Sequence, residues 1–527
     1  KEGLYGRDFT ENYAFGFNDC PGPDGRMHTG FKNLVLNEYA PSRVAAATGV
    51  PADQIAALAR GFAAAKAPVA LYGKGKGTLN GSVYECMSVQ ALNALLGRIN
   101  QPGGVLVQDG LPLASLPPLE HDPTAVAGLR SRRLDRAGEK IYPFSRTVME
   151  EFSKNVLEQG GVDTILISSS NPAYTLPDAG AFRNALVKIP FIVSFSPFRD
   201  ETAAMADLVL PDHTALEKMD DVVWPMGLQY PLYGLSGPAV EPVYRTRNTG
   251  DVLLELARRI GGKVAEGFPW KDFEDVLKER AKGLYDSGPG LVRFDGATPP
   301  WEMMTSRKNV TADYTSFEDM WKKLKAGGLW YRPAAQYRNW GEIFKTRTGR
   351  FEFYSLEIHR ALQRVKDASR LGVAGSGDQA CLPHFAEGNG KAARRGYPLQ
   401  LVPYEIINLS SGWLPTPPHL TKTYDVQLLT RSDSFVEINP KTAGHFGVSA
   451  GDWVLLESPA GKAKVRVNLF EGAMPGMIYM PMGLGHTAYD EFLRERGADC
   501  NAVVEPRKDP LSGHPVWWDT PVKLTKL

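Results

Sequence analysis

The sequence predicts an α/β molecule: a doubly wound parallel sheet over residues 41–215, followed by a small β barrel beyond Tyr397. Two observations carry this reading. In the first region short, continuously apolar runs alternate with amphipathic helical stretches, the pattern of a parallel sheet covered on both faces. Beyond Tyr397 the texture changes to brief strands separated by Gly, Pro and Asn turns, which is how a small barrel reads.

In chain order, residues 1–40 are aromatic and glycine-rich, carry the turn cluster Cys20-Pro21-Gly22-Pro23-Asp24-Gly25-Arg26, and are expected to form a connecting arm. From Pro41 the residues Val44, Ile55, Leu58, Ala59 and Phe62 fall at helical spacing, with Thr48-Gly49-Val50-Pro51 dividing two short helices. Ala67–Tyr72 reads as a strand ending in the loop Gly73-Lys74-Gly75-Lys76-Gly77, and Val83–Ile99 as the helix after it. The same unit recurs at Thr164–Ile167 and at Phe191–Ser194, and the run Leu208-Val209-Leu210-Pro211 closes the series. This first domain is assigned to 41–260. Residues 261–396 are read as a mixed α/β segment with helices near Trp270–Leu284 and Phe317–Leu324, ending in a Gly-, Ala- and charge-rich linker at 366–396. The barrel domain is 397–527, with strands at Leu399–Tyr404, Phe435–Ile438, Asp452–Ser458, Lys464–Leu469 and Met477–Met482.

The 527 residues are enough for three or four units of about 150 residues each. Sixty Lys+Arg against 59 Asp+Glu give a net charge of +1, so no global field exists to hold nucleic acid or an anionic membrane. The four cysteines, Cys20, Cys86, Cys381 and Cys500, are too widely spaced for any CxxC-type ligand set. Either they are free thiols or a pair is oxidised. No apolar run reaches the roughly 18 residues that span a bilayer, and Lys1 opens without a signal-like segment, so a soluble segment is expected, mature or truncated.

The loop at 73–77 lacks both the GxGxxG and GxxxxGK[ST] patterns and is either an anion cradle or a tight turn. Ser168-Ser169-Ser170-Asn171-Pro172 stands at the carboxyl end of a strand, where wound sheets form ligand crevices; its side chains either hydrogen-bond a polar ligand or cap a helix. Asp200, Glu201, Asp207, Asp212, His213, Glu217, Asp220 and Asp221 lack metal-ligand spacing and are read as helix caps and a solvated edge. No GxSxG elbow is present, and nothing ties a Ser or Cys to His and Asp. No catalytic residue and no metal ligand is therefore assigned.

Several phrases stand in one order: Thr48-Gly49-Val50-Pro51, Gln101-Pro102-Gly103-Gly104, Ser170-Asn171-Pro172, Asp200-Glu201-Thr202 leading to Ala206–Pro211, and Glu437-Ile438-Asn439-Pro440 leading to Gly451-Asp452. That order resembles the molybdopterin oxidoreductases of the dimethyl sulfoxide reductase type, over most of 35–260 and 397–527. The resemblance implies an α/β core of dinucleotide-binding type, whose pseudo-symmetric halves each bind one pterin guanine dinucleotide. It also implies a C-terminal double-psi barrel closing over the cofactor. Family chains begin with a four-cysteine iron–sulfur region and a first cofactor-binding half that supplies the molybdenum ligand; this sequence is expected to start after both. A second departure lies at the barrel entry, where a His- and Thr-rich loop is replaced by Glu405-Ile406-Ile407-Asn408-Leu409-Ser410-Ser411-Gly412-Trp413. The entry through Pro403-Tyr404, the insert to Val436 and the ending Met480–Tyr489 look more like the molybdenum-free, molybdopterin-like subunits of alternative complex III and of the menaquinone-reducing quinone reductase complex.

By that resemblance the expected protein is a peripheral subunit on the periplasmic side of the cytoplasmic membrane, with no cofactor on this segment and no bond-making chemistry. Its expected partners are a ferredoxin-like iron–sulfur subunit, a multihaem cytochrome c and a quinone-binding integral membrane subunit, with electrons moving between periplasmic carriers and menaquinone. The alternative is a catalytic subunit carrying molybdopterin guanine dinucleotide with Mo or W, similar to polysulfide, thiosulfate or tetrathionate reductases. Ser170, Asn171, Asp200, Thr202, Gly485, His486 and Asn501 would then hold its phosphate, guanine or pterin groups. A third reading is a free-standing protein that binds a small polar ligand in the sheet crevice. Pro515-Val516-Trp517-Trp518 is either a contact patch or barrel core.

Overall fold

A computed structural model describes residues 1–72, 82–108, 110–225, 228, 230–293, 311–332, 337–365, 373, 375–385, 396–420, 434–517 and 519–527. The loop at 73–77, much of the 366–396 stretch and Trp518 lie outside these residues.

The wound sheet is parallel, in the order Thr164–Ile167, Phe191–Ser194, Leu208–Val209, with Ile165 paired to Ile192 and Val193 to Leu208. The helices Met149–Gln159 and Ala179–Leu186 bury Val156, Phe182, Ala185 and Leu186 against Ile167 and Ile192 on one face. On the other face Leu166 and Leu208 stay exposed. Ala67–Tyr72, expected to be a strand, joins no sheet among the described residues. Instead the amide side chain of Asn93, on the helix Val83–Leu95, accepts from the Ala70 N–H at 2.8 Å and donates to the Ala70 carbonyl at 2.9 Å. One side chain thus satisfies both backbone groups of Ala70, which a neighbouring strand would have paired.

The helical pair is present as Pro41–Thr48 and Ala52–Ala64, with Gly49 at φ +74° ending the first helix in the left-handed conformation. Neither helix has a buried residue, although the apolar spacing was that of a core-facing stripe.

Residues 1–40 are more than a connecting arm. Phe9, Phe17, Phe31 and Leu34 are buried in one cluster with Tyr84, Phe353, Tyr354 and Cys381. The strand Ala14–Phe15 pairs in parallel with Phe351–Glu352, more than 300 residues along the chain. The expected boundary at 260/261 also falls inside a unit. An antiparallel sheet in the order Asp220–Val223, Leu232–Ser236, Leu329–Tyr331, Leu291–Arg293 takes strands from both sides of it. The helices Phe273–Asp286 and Phe317–Lys325 close its core around Leu277, Leu284, Met320 and Trp330. Within the expected linker, Gly377–Cys381 forms a short 3-10 helix that buries Ala380 and Cys381.

The barrel is closed and six-stranded, in the order Leu399–Tyr404, Met477–Pro481, Phe435–Ile438, Lys462–Leu469, Trp453–Glu457, Thr520–Lys526. Its alternating inward residues, among them Leu401, Val436, Val454, Val465, Ile478 and Val522, form one core. All four cysteines are free thiols.

Candidate functional site

Six of the seven residues nominated by the resemblance meet where the wound sheet abuts the barrel, five of them placed on segments that follow strands and one on a short helix. Asn171 follows the strand Thr164–Ile167, Asp200 and Thr202 follow Phe191–Ser194, Gly485 and His486 follow Met477–Pro481, and Asn501 lies in the short helix Cys500–Ala502. Ser170 is the exception: it is exposed and lines a separate cleft of about 600 Å³ with Ser168, Leu134 and Phe152.

At the centre is Glu201, a buried carboxylate that sequence reasoning did not nominate although it lies between two residues that were. Its Oε2 accepts from Asn171 Nδ2 at 2.8 Å. Its Oε1 accepts from His486 Nδ1 at 3.1 Å and from the backbone N–H groups of Thr487 at 2.8 Å and Ala488 at 3.2 Å. Burial alone would raise this carboxyl, but the hydrogen bonds from His486 and Asn171 outweigh it and hold its pKa at about 2. Asn171 Oδ1 accepts in turn from the Thr202 N–H and hydroxyl, and the Thr202 hydroxyl oxygen accepts from the Ala173 N–H. Asp200 caps the next turn through the Ala203 N–H at 2.7 Å and accepts from the Ser196 hydroxyl at 2.7 Å.

Tyr174 and Asp499, also unnominated, complete the seam. The Tyr174 ring stacks on His486 at 3.9 Å between centroids, and its hydroxyl donates to the Leu484 carbonyl at 2.8 Å. Asn501 donates to the Tyr174 carbonyl and accepts from Trp517 Nε1 at 2.9 Å, so Trp517 packs on the barrel core rather than projecting as a free patch. Asp499 is pushed up to about 7 by burial, against the hydrogen bond from the Asn501 N–H, with the Glu201 charge adding to the rise. Gly485 has φ +76°, and a Cβ there would stand 2.0 Å from the Asp499 N atom, so only glycine lets the two segments touch.

Beside this seam a cleft of about 810 Å³ opens between Phe198 and Arg199 on the sheet side and Ile407, Leu414, Thr416 and Phe492 on the barrel side. Tyr489 bridges its floor, donating from N–H to the Arg199 carbonyl and from its hydroxyl to the Trp413 carbonyl, both at 2.8 Å.

The profile described as molybdopterin oxidoreductase matches residues 55–259, and that described as molydopterin dinucleotide binding domain matches residues 419–519. The chain belongs to the molybdopterin oxidoreductases. It is 29% identical over 496 residues to the menaquinone reductase molybdopterin-binding-like subunit of Nitratidesulfovibrio vulgaris, covering 94% of this chain and 58% of that protein. It is 24% identical to the arsenate respiratory reductase molybdopterin-containing subunit of Shewanella sp., covering 91% of this chain and 60% of the relative. The chain therefore spans about three fifths of the length of these curated relatives. Among solved structures, acetylene hydratase from Pelobacter acetylenicus shares the fold at a TM-score of 0.65 and 18% identity, covering 100% of this chain and 68% of that one.

The expectation that this segment holds no cofactor gains no support from these matches, since one of them is to a dinucleotide-binding domain. The nominated side chains that meet in the seam nevertheless do not fit the group. The side-chain amides and carboxylates of Asn171, Asp200 and Asn501 and the hydroxyl of Thr202 are buried and bonded to one another or to neighbouring backbone. His486 gives Nδ1 to Glu201 and its ring face to Tyr174. A pyrophosphate or pterin edge needs free donors, and this seam offers them to itself.

Proposed function

We propose that this chain is a molybdopterin-like subunit of a membrane-associated respiratory complex on the periplasmic side, which moves electrons between cytochrome c-type carriers and menaquinone. In this reading the chain is a scaffold. A ferredoxin-like iron–sulfur subunit, a multihaem cytochrome c and a quinone-binding integral membrane subunit carry the electrons. Among the described residues no helix is long and apolar enough to cross a membrane. The likeness to a menaquinone reductase molybdopterin-binding-like subunit supports the class of complex. The closed seam around Glu201 carries the scaffold reading, because a fold whose ligand-facing groups bind each other is retained for its surfaces.

A second reading, a Mo or W catalytic subunit of a thiosulfate- or tetrathionate-type reductase, draws on the dinucleotide-binding match, the reductase relatives and the cleft of about 810 Å³. Metal analysis of the full-length protein, purified with whatever co-purifies, separates the two. The scaffold reading expects haem and iron in the complex and no stoichiometric molybdenum or tungsten. Stoichiometric molybdenum or tungsten with extractable pterin would replace it with the catalytic one.

A further inference from the structure

The structure assigns a binding site for a divalent first-row transition-metal ion of the zinc class to Asp24, His28 and His359, in the cluster that ties residues 1–40 to the segment around 351–381. One ligand atom from each of the three lies within 4.8 Å of the others. The residues come from distant parts of the chain. His28 ends the hairpin Cys20–Pro21 and Met27–His28, Asp24 stands at the hairpin turn, and His359 lies on the helix Leu356–Gln363. Both histidines are buried, while Asp24 is exposed and gives an entry path.

Three features mark this as a ligand set rather than an accidental meeting of side chains. First, each ring has its Nδ1 anchored by a second residue. His28 Nδ1 is 2.6 Å from Asp378 Oδ1, and His359 Nδ1 is 2.8 Å from the Tyr354 hydroxyl. Metal-bound histidines are oriented in this way, the outer partner fixing the tautomer and leaving Nε2 for the ion. Asp378 is itself held, its Oδ2 accepting from the Thr29 N–H at 2.7 Å.

Second, the two Nε2 atoms face partners that an ion can displace. His28 Nε2 is 2.8 Å from Asp24 Oδ1, where a cation replaces the shared proton, and His359 Nε2 accepts from the amide of Gln363 at 2.8 Å. Gln363 is exposed and free to swing outward. Third, Gly22 leaves room beside the pair: a Cβ at that position would stand 2.2 Å from His28 Nε2 and 2.8 Å from Asp24 Oδ1.

Two neutral imidazoles and one carboxylate suit zinc-class ions, with water completing the coordination, and suit Mg²⁺ poorly. The ion would staple the hairpin to the helix Leu356–Gln363 across more than 300 residues of chain. Nothing in this site touches the seam around Glu201, so it stands or falls independently of the proposed function.

The test uses the full chain, stripped with chelator and titrated with Zn²⁺ alone by calorimetry, then with Co²⁺ in the visible range. Expected are saturable uptake of one ion per chain, a ligand-field band from Co²⁺ that Zn²⁺ displaces, a rise in Tm with Zn²⁺, and no competition by Mg²⁺. Asp378→Asn should weaken binding by about 10–100-fold, and Asp24→Asn or His359→Gln by more than about tenfold. Asp24 is exposed at a turn, so Asp24→Asn keeps the fold, and its metal-free Tm verifies this if His359→Gln does not fold. Absence of saturable uptake, or uptake and a Zn²⁺-induced Tm rise unchanged in Asp24→Asn, overturns the assignment.

Discussion

Glu201 and Asp499 are two acids in one seam with opposite shifts, and they make opposite contributions to stability as pH changes. Glu201 is held at about 2 against the usual 4.5, so its contribution is complete above pH 4.5 and is lost as pH falls toward 2. Glu201→Gln should cost on the order of 3 kcal/mol at pH 7, read from urea unfolding, with the deficit shrinking as pH drops through that window. Asp499 is raised to about 7 from 3.8, so its ionisation destabilises the fold increasingly from pH 3.8 to 7 and fully above. Asp499→Asn keeps an acceptor for the Asn501 N–H. It should raise stability at pH 8 by about 1–4 kcal/mol and leave it unchanged at pH 3. A substitution that behaves the same at both pH values would show that the carboxylate is not buried as described. Neither role was legible in the sequence. Asp200-Glu201-Thr202 reads as a helix cap, and only the return of the chain 285 residues later, at His486, makes Glu201 the hub.

At the scale of elements, two glycines with nearly the same φ make different demands. Gly485, at φ +76°, touches the Asp499 backbone, whereas Gly49, at φ +74°, has nothing within 4 Å of the Cβ position. Gly49→Ala should cost about 1–2 kcal/mol, the left-handed penalty alone. Gly485→Ala adds a backbone clash and should cost more than about 3 kcal/mol, both measured as shifts in urea midpoint at constant m. The elements legible from sequence were those with strong local signals. The apolar runs at 164–167 and 191–194 are strands at the expected bounds, and two helices flank Gly49 as expected. The elements that were missed depend on distant partners. Asp220–Val223 is too acidic to read as a strand, and Thr520–Lys526 carries Pro521, Lys523 and Lys526, yet pairing with Leu232–Ser236 and with Trp453–Glu457 makes both part of sheets. Ala67–Tyr72 has the apolar run of a strand, yet the side-chain amide of Asn93 takes up both backbone groups of Ala70 without a sheet.

For the whole molecule, the fold class was readable because a wound sheet and a small barrel leave different textures, while the connections between units were not. Residues 1–40 look like a tether in isolation, since their aromatic rings find Phe353 and Tyr354 only in three dimensions. The units share buried polar seams, so the sheet and barrel should unfold together in one transition, whether followed by near-UV dichroism or by tryptophan fluorescence. The helical pair at 41–64 stands outside that cooperativity. It fully buries no side chain, and the ion pair between Arg60 and Glu2 at 2.7 Å is solvent-exposed and adds little. Its amide protons should therefore exchange with deuterium long before those of the barrel strands, because local opening there exposes only half-buried side chains such as Val44, Ile55 and Phe62. Matching protection in the two regions would mean that the pair is clamped by a contact its own surface does not reveal.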